Sequence, residues 1–154
     1  MTRGASFARA ALTAGAVVAV DQASKALVRA DVEPGEKREI LGEVLQLVHV
    51  RNDGIAFGAL GGGGTVVAIL VGVALIMVLA LFVTHATRPL AWLPAGLLLG
   101  GAIGNVIDRI RLDAVTDFLK VPSWPAFNVA DIAITLGAIV LVVVVGRDEA
   151  DGRS

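Results

Sequence analysis

The sequence predicts an all-α polytopic membrane protein, a single domain with four transmembrane helices and a small β-hairpin cradle between the first and second. Three observations carry that prediction. The chain is 56% hydrophobic and only 18% charged, far more apolar than a soluble domain of 154 residues. The run Thr65–Val83 contains no charged residue, and as a helix it reaches about 28 Å, close to the hydrocarbon thickness of a bilayer. The polar residues that interrupt the other apolar runs gather at one end of each run.

The first span is expected over 10–28. Arg3 and Arg9 ahead of a short apolar stretch have the layout of a secretory signal. However, Asp21-Gln22-Ala23-Ser24-Lys25 continues the helical pattern without a turn-forming break. Asp21 and Lys25 are four apart, share one face and can pair, which is how a buried charge is tolerated inside a bundle.

Residues 29–64 read as a loop. Glu33-Pro34-Gly35 signals a turn, and the β-formers of Glu39–Leu41 and Val44–Val50, separated by Gly42-Glu43, suggest the hairpin. Arg51-Asn52-Asp53-Gly54 is a turn on its face, and Gly61–Gly64 has little capacity for fixed structure. The second span follows over 65–83. In the third, over 90–107, Gly96, Gly100 and Gly104 recur every four residues, a stripe that admits another helix backbone. Asn105, Asp108 and Arg109 stand at its far end. The loop 108–126 holds Asp117, two prolines and Trp124, which suits an interface. The fourth span, 127–145, is apolar except for Asn128 and Asp131 in its first turns, and the tail from Arg147 is polar.

Four spans place both termini on one side. Alternating direction then puts Asp21, Lys25, Asn52, Asn105, Asp108, Arg109, Asn128 and Asp131 at the same membrane face. The charge bias is nearly balanced: Arg3, Arg9, Arg88, Arg147 and Arg153 lie on one side, with Lys37, Arg38, Arg51, Arg111 and Lys120 on the other. It leans slightly toward cytoplasmic termini.

Chemistry narrows by elimination. A net charge of −1 offers nucleic acid no general attraction. With no cysteine there is no thiol nucleophile, disulfide or thiolate ligand. Ser24 and Lys25 point about 100° apart on a helix and make a poor dyad. His49 and His85 are isolated, and the cations interleaved among the carboxylates compete with a metal. An aspartate pair is what remains. Two close carboxylates share one proton, the ionised member activating water and the protonated one polarising the scissile carbonyl. Asp117 and Asp131 can meet if the proline-containing segment between them folds back. Asn128, three residues before Asp131, is placed to orient it. The bland alternative, polar glue between helices or a helix-dipole carboxylate, suits Asp131 alone.

The motifs Asp21-Gln22-Ala23-Ser24-Lys25, Arg51-Asn52-Asp53-Gly54-Ile55-Ala56-Phe57, Gly104-Asn105-Val106-Ile107-Asp108-Arg109, Val115-Thr116-Asp117-Phe118 and Phe127-Asn128-Val129-Ala130-Asp131 resemble, in order and placement, those of the lipoprotein signal peptidases (signal peptidase II). The resemblance covers nearly the whole chain. It implies a multi-pass aspartyl endopeptidase of the bacterial cytoplasmic membrane, with cytoplasmic termini and an active site and hairpin cradle at the outer face. The implied reaction removes the signal peptide of prolipoproteins just before a diacylglyceryl-modified cysteine, with no metal or other cofactor. Its partners would be diacylglyceryl-prolipoproteins and membrane lipid, with a monomer as the expected state. Asp117 and Asp131 match the family's catalytic pair. Asp21, Lys25, Asn52, Gly54, Asn105, Asp108, Arg109, Asn128 and Ala130 match its substrate-binding and supporting positions. Lys25 and Arg109 are expected to neutralise Asp21 and Asp108. Two departures stand out: the segment between Asp117 and Asp131 is short for the family, and Asp53 adds a charge to the Asn52 loop.

Two other readings are possible from the same residues. A small ion or proton translocator would use the intramembrane acids, although such sites usually lie near the midplane and often with repeats. A structural scaffold would lose stability rather than activity when a carboxylate is removed.

Overall fold

A computed structural model describes residues 1–53, 73 and 76–151, with side chains of the last helix described as far as residue 144. Gly54, the Gly61–Gly64 run and much of the expected second span lie outside these residues. Among those described there are four helices and a small antiparallel sheet.

Helix α1 (Arg3–Asp31) starts at Thr2, whose Oγ1 accepts a hydrogen bond from the Ala5 N–H at 3.4 Å, and ends where Val32 turns extended. Strands β1 (Lys37–Leu41) and β2 (Leu45–Asn52) form the expected hairpin. Gly42, at φ +55°, makes the tight reversal between them in a region that disfavours other residues. Helices α2 (Ile76–His85) and α3 (Trp92–Leu112) follow. Then come strand β3 (Val115–Lys120) and helix α4 (Val129–Asp151). Of these, α1 and α3 are long and apolar enough to cross a membrane.

Helix α3 is the centre of the bundle because glycines occupy two of its faces. A Cβ on Gly96 would lie 2.6 Å from the Thr13 Cβ, and one on Gly100 would lie 2.8 Å from the Ala14 carbonyl oxygen. A Cβ on Gly104 would lie 2.6 Å from Asp21 Oδ2. The predicted stripe therefore seats α1. A turn away, a Cβ on Gly101 would lie 2.5 Å from the Ala130 carbonyl oxygen, so the adjoining face seats α4. Small residues substitute for hydrophobic driving force where lipid surrounds the bundle. Outward side chains such as Leu12, Leu27, Ile76, Ile110 and Val142 are exposed. At one end Phe82 packs with Ala10, Ala86, Ala91 and Ala95. At the other, Val28 and Val32 pack on Phe118.

That second end departs from expectation. The segment 108–126, read as a loop, is helical through Leu112. Asp113 then adopts a left-handed conformation (φ +57°), and its N–H bonds the Arg109 carbonyl at 3.0 Å. The chain next enters β3, which pairs antiparallel with β2 to give the sheet order β1-β2-β3. Asp117 thus belongs to a strand, opposite Val50. Strand propensity is a weak signal when the partner lies more than sixty residues away. Beyond Lys120 the chain folds back as expected. Phe127 and Leu119 exchange N–H···O bonds of 2.8 and 2.9 Å, delivering Asn128 to the start of α4 beside β3.

Candidate active site

The buried polar groups form two adjoining sets. The first is built on Lys25, fully buried on α1, whose ammonium lies 2.9 Å from Asp21 Oδ2 and 3.3 Å from Asp108 Oδ2. It also donates to Asn105 Oδ1 at 3.0 Å. The expected pairing of Arg109 with Asp108 is not observed. Arg109 donates to the Asn105 carbonyl, one turn back on its own helix, at 3.2 Å. The residues at Asp108 are instead Lys25, the Thr116 N–H at 2.9 Å, Gln22 Nε2 at 3.1 Å and, more distantly, Arg29 at 3.9 Å. A residue following Asp108 on a helix points about 100° away from it, whereas Arg29 reaches it from α1. Gln22 also bonds Asp21 Oδ2 and the Gly104 carbonyl, each at 3.1 Å, and thereby pins α1 to α3.

Asp21 has a second task. Its Oδ1 accepts the Ala130 N–H at 3.0 Å, one of the amides left open in the first turn of α4. Ala130 is completely buried there. The same turn is closed by a reciprocal cap. Asn128 Oδ1 accepts the Asp131 N–H at 3.0 Å, and Asp131 Oδ2 accepts the Asn128 N–H at 3.2 Å. The three-residue spacing noticed in the sequence is therefore a capping box that fixes the Asp131 carboxylate.

The second set is the carboxylate pair. Asp117 Oδ1 accepts from Asn128 Nδ2 at 2.7 Å, and Oδ2 accepts from Asn52 Nδ2 at 2.8 Å. Asp131 Oδ1 accepts from Asn105 Nδ2 at 2.9 Å. Asn105 and Asn128 are themselves joined by a 3.2 Å bond. Asn128 thus touches both aspartates, through its side chain on one and its backbone on the other. Asp117 is nearly inaccessible at 2% exposure, while Asp131 is partly open. Burial pushes Asp117 up to about 6, and the neighbouring charge of Asp131 adds to the rise. The Asn52 and Asn128 hydrogen bonds, and more weakly Lys25, pull the other way. Beside Asp131 lies a groove of about 280 Å³ whose walls are largely apolar: Trp124, Phe127, Ile132 and Leu136, with Thr135.

Apart from Gly54, every singled-out position thus reaches this end of the bundle. Gln22, Arg29 and Thr116 are the additions. Gln22 lay within a quoted motif and Arg29 one turn past Lys25, so the i, i+4 spacing Asp21–Lys25–Arg29 was the available signal. Among the described residues no group of three or more His, Cys, Asp or Glu is placed to hold a metal ion.

A helical bundle with an apolar exterior and a cluster of polar side chains at one end, among them a buried and a partly open aspartate, has the make-up of a membrane protein. The sequence model described as Signal peptidase (SPase) II matches residues 13–146. The lipoprotein signal peptidase of Moorella thermoacetica is 44% identical over 126 residues, covering 81% of this chain and 84% of that protein. That of Syntrophomonas wolfei is 40% identical over 135 residues, covering 86% and 89%. A solved structure described as a bacterial membrane enzyme superposes with a TM-score of 0.82 at 30% identity, covering 96% of this chain and 91% of that one. The chain belongs to the signal peptidase II family.

Proposed function

We propose that this membrane peptidase is an aspartyl endopeptidase that cleaves diacylglyceryl-modified prolipoproteins just before the lipidated cysteine. The names of its relatives support the substrate class. One observation carries the mechanism: Asn128 holds Asp117 and Asp131 together, and among the described residues neither carboxylate has a cation as a hydrogen-bonded partner. In this reading Asp117, buried and raised, holds the shared proton. Asp131, facing the groove, takes a proton from water as the water oxygen attacks the scissile carbonyl carbon. Asp117 donates to the carbonyl oxygen, giving a neutral tetrahedral diol. Collapse breaks the C–N bond, returns a proton to Asp117, and sends the Asp131 proton to the departing amine of the cysteine. The apolar groove receives the apolar part of the substrate beside that carboxylate.

The placement is read from the four expected spans and the family resemblance. Four spans with cytoplasmic termini put the ends of α1 and α3, the start of α4 and the sheet at the outer face of a bacterial membrane, where a lipid-anchored chain presents its cleavage site. The test is cleavage of a lipidated precursor by purified Asp117→Asn and Asp131→Asn proteins. Each is expected to lose cleavage by at least about 10³-fold while extracting folded in detergent. Normal turnover by either variant refutes the aspartyl mechanism. Ion flux in proteoliposomes without peptidase activity would favour a translocator instead.

A further inference from the structure

We propose that the back of the sheet carries a second site, which binds the phosphodiester headgroup of an acidic phospholipid. Asp117 and Asn52 project from the face of β2 and β3 turned toward the aspartate pair. The alternate residues His49, Arg51 and Thr116 belong to the opposite face, Arg51 standing directly across from Thr116. There they join Arg29 around a cavity of about 140 Å³ walled on its apolar side by Leu112 and Val115. That volume accommodates a phosphate group, at about 30 Å³ per displaced water, but no acyl chain.

The lining chemistry selects an anion. Among the described residues no carboxylate lines the cavity. Arg29 is held in place by its 3.0 Å bond to Thr116 Oγ1, with Asp108 no closer than 3.9 Å. Arg51 pairs with Asp53 at 2.8 Å, but both side chains are largely exposed, so that pair costs little to open. His49 Nδ1 lies 2.8 Å from the Val32 carbonyl oxygen, which fixes the ring and leaves Nε2 as its other polar atom. The carbonyl ends of α1 and α3 oppose an anion by about half a charge each, less than the two guanidinium groups supply. The location selects a lipid. Arg29 and Leu112 lie in the last turns of α1 and α3, the two helices long and apolar enough to span, so the cavity opens at headgroup depth. One guanidinium held in place and a second free to turn toward it, above an apolar wall, are an arrangement that acidic headgroups favour.

The proposal is tested by native mass spectrometry of the full chain released from nanodiscs containing phosphatidylglycerol and phosphatidylcholine. Wild type should retain one phosphatidylglycerol in preference to phosphatidylcholine. Arg51→Gln should lower that retention about fivefold, as expected for one basic residue at an anionic surface. Arg3→Gln, at the opposite end of α1, should leave it unchanged. Equal retention by wild type and Arg51→Gln, or an equal loss in Arg3→Gln, overturns the site. Saturation by inorganic phosphate in detergent without any phosphatidylglycerol preference overturns its assignment to lipid.

Discussion

Asp21 and Asp108 share a fully buried lysine at 2.9 and 3.3 Å. In the adjoining set, Asp117 and Asp131 accept their hydrogen bonds from neutral amides: Asn52, Asn105 and both donors of Asn128. The residue type is the same and the two sets adjoin, yet the compensation differs. Where a cation stands against the carboxylates, the buried groups are paired and tie α1 to α3. Where, among the described residues, only amide dipoles do, burial and the neighbouring Asp131 charge push Asp117 up, the condition that the proposed acid role needs. Asn105 connects the regions, accepting from Lys25 and Asn128 while donating to Asp131. The lysine set can therefore position the Asp117–Asp131 pair, the proposed reactive groups, through Asn105.

The largest expected effect is the separation of activity from stability at Asp117. A carboxylate raised from 3.8 to about 6 binds its proton more tightly folded than unfolded. Its ionisation therefore opposes folding, an effect that develops as pH rises from the lower value to the higher and is complete above both. The penalty is on the order of 3 kcal/mol when Asp117 is charged. Asp117→Asn should then be inactive and, above pH 7, melt no lower than wild type. A substantially lower melting temperature would make Asp117 a structural group and erase the contrast.

The counterpart is Lys25→Met, which strands two buried carboxylates. Removing one partner of a buried ion pair costs about 3–5 kcal/mol, and denaturation in detergent should show a loss of that order. If this variant were as stable as wild type, the lysine set would not be the frame proposed here. A smaller effect is expected where α3 meets that frame. A methyl group on Gly104 would lie 2.6 Å from Asp21 Oδ2, and overpacking of this kind costs about 1–3 kcal/mol. Gly15, with nothing within 4 Å of its Cβ position, is the control, and Gly15→Ala should not destabilise.

Much of this frame was legible because its signals are local. Asp21 and Lys25 declare themselves by four-residue spacing, the α3 glycines by their repeat, and Asn128 with Asp131 by the three-residue interval of a helix cap. What escaped was set by distant partners. Val115–Lys120 has an aspartate at its centre and prolines soon after it, so nothing local distinguishes it from a loop until β2 lies alongside. Arg29 meets Asp108 and Thr116 across some eighty positions of sequence. Arg109, next to Asp108 in the chain, was the plausible partner on paper, and helix geometry turns it away.

The finest test of the comparison is Asn52, which reaches Asp117 from the sheet. Its hydrogen bond favours the ionised carboxylate and is the first of the influences holding Asp117 down against burial. Asn52→Ala should therefore raise Asp117 further. If Asp117 must be protonated to polarise the carbonyl, activity falls as pH rises through its titration, so the alkaline limb of kcat should move to higher pH. The same substitution should leave the lysine set, and with it the unfolding free energy, within about 1 kcal/mol of wild type. A limb displaced to lower pH would mean that Asp117 works in its charged form. The acid and base roles would then have to be exchanged between Asp117 and Asp131.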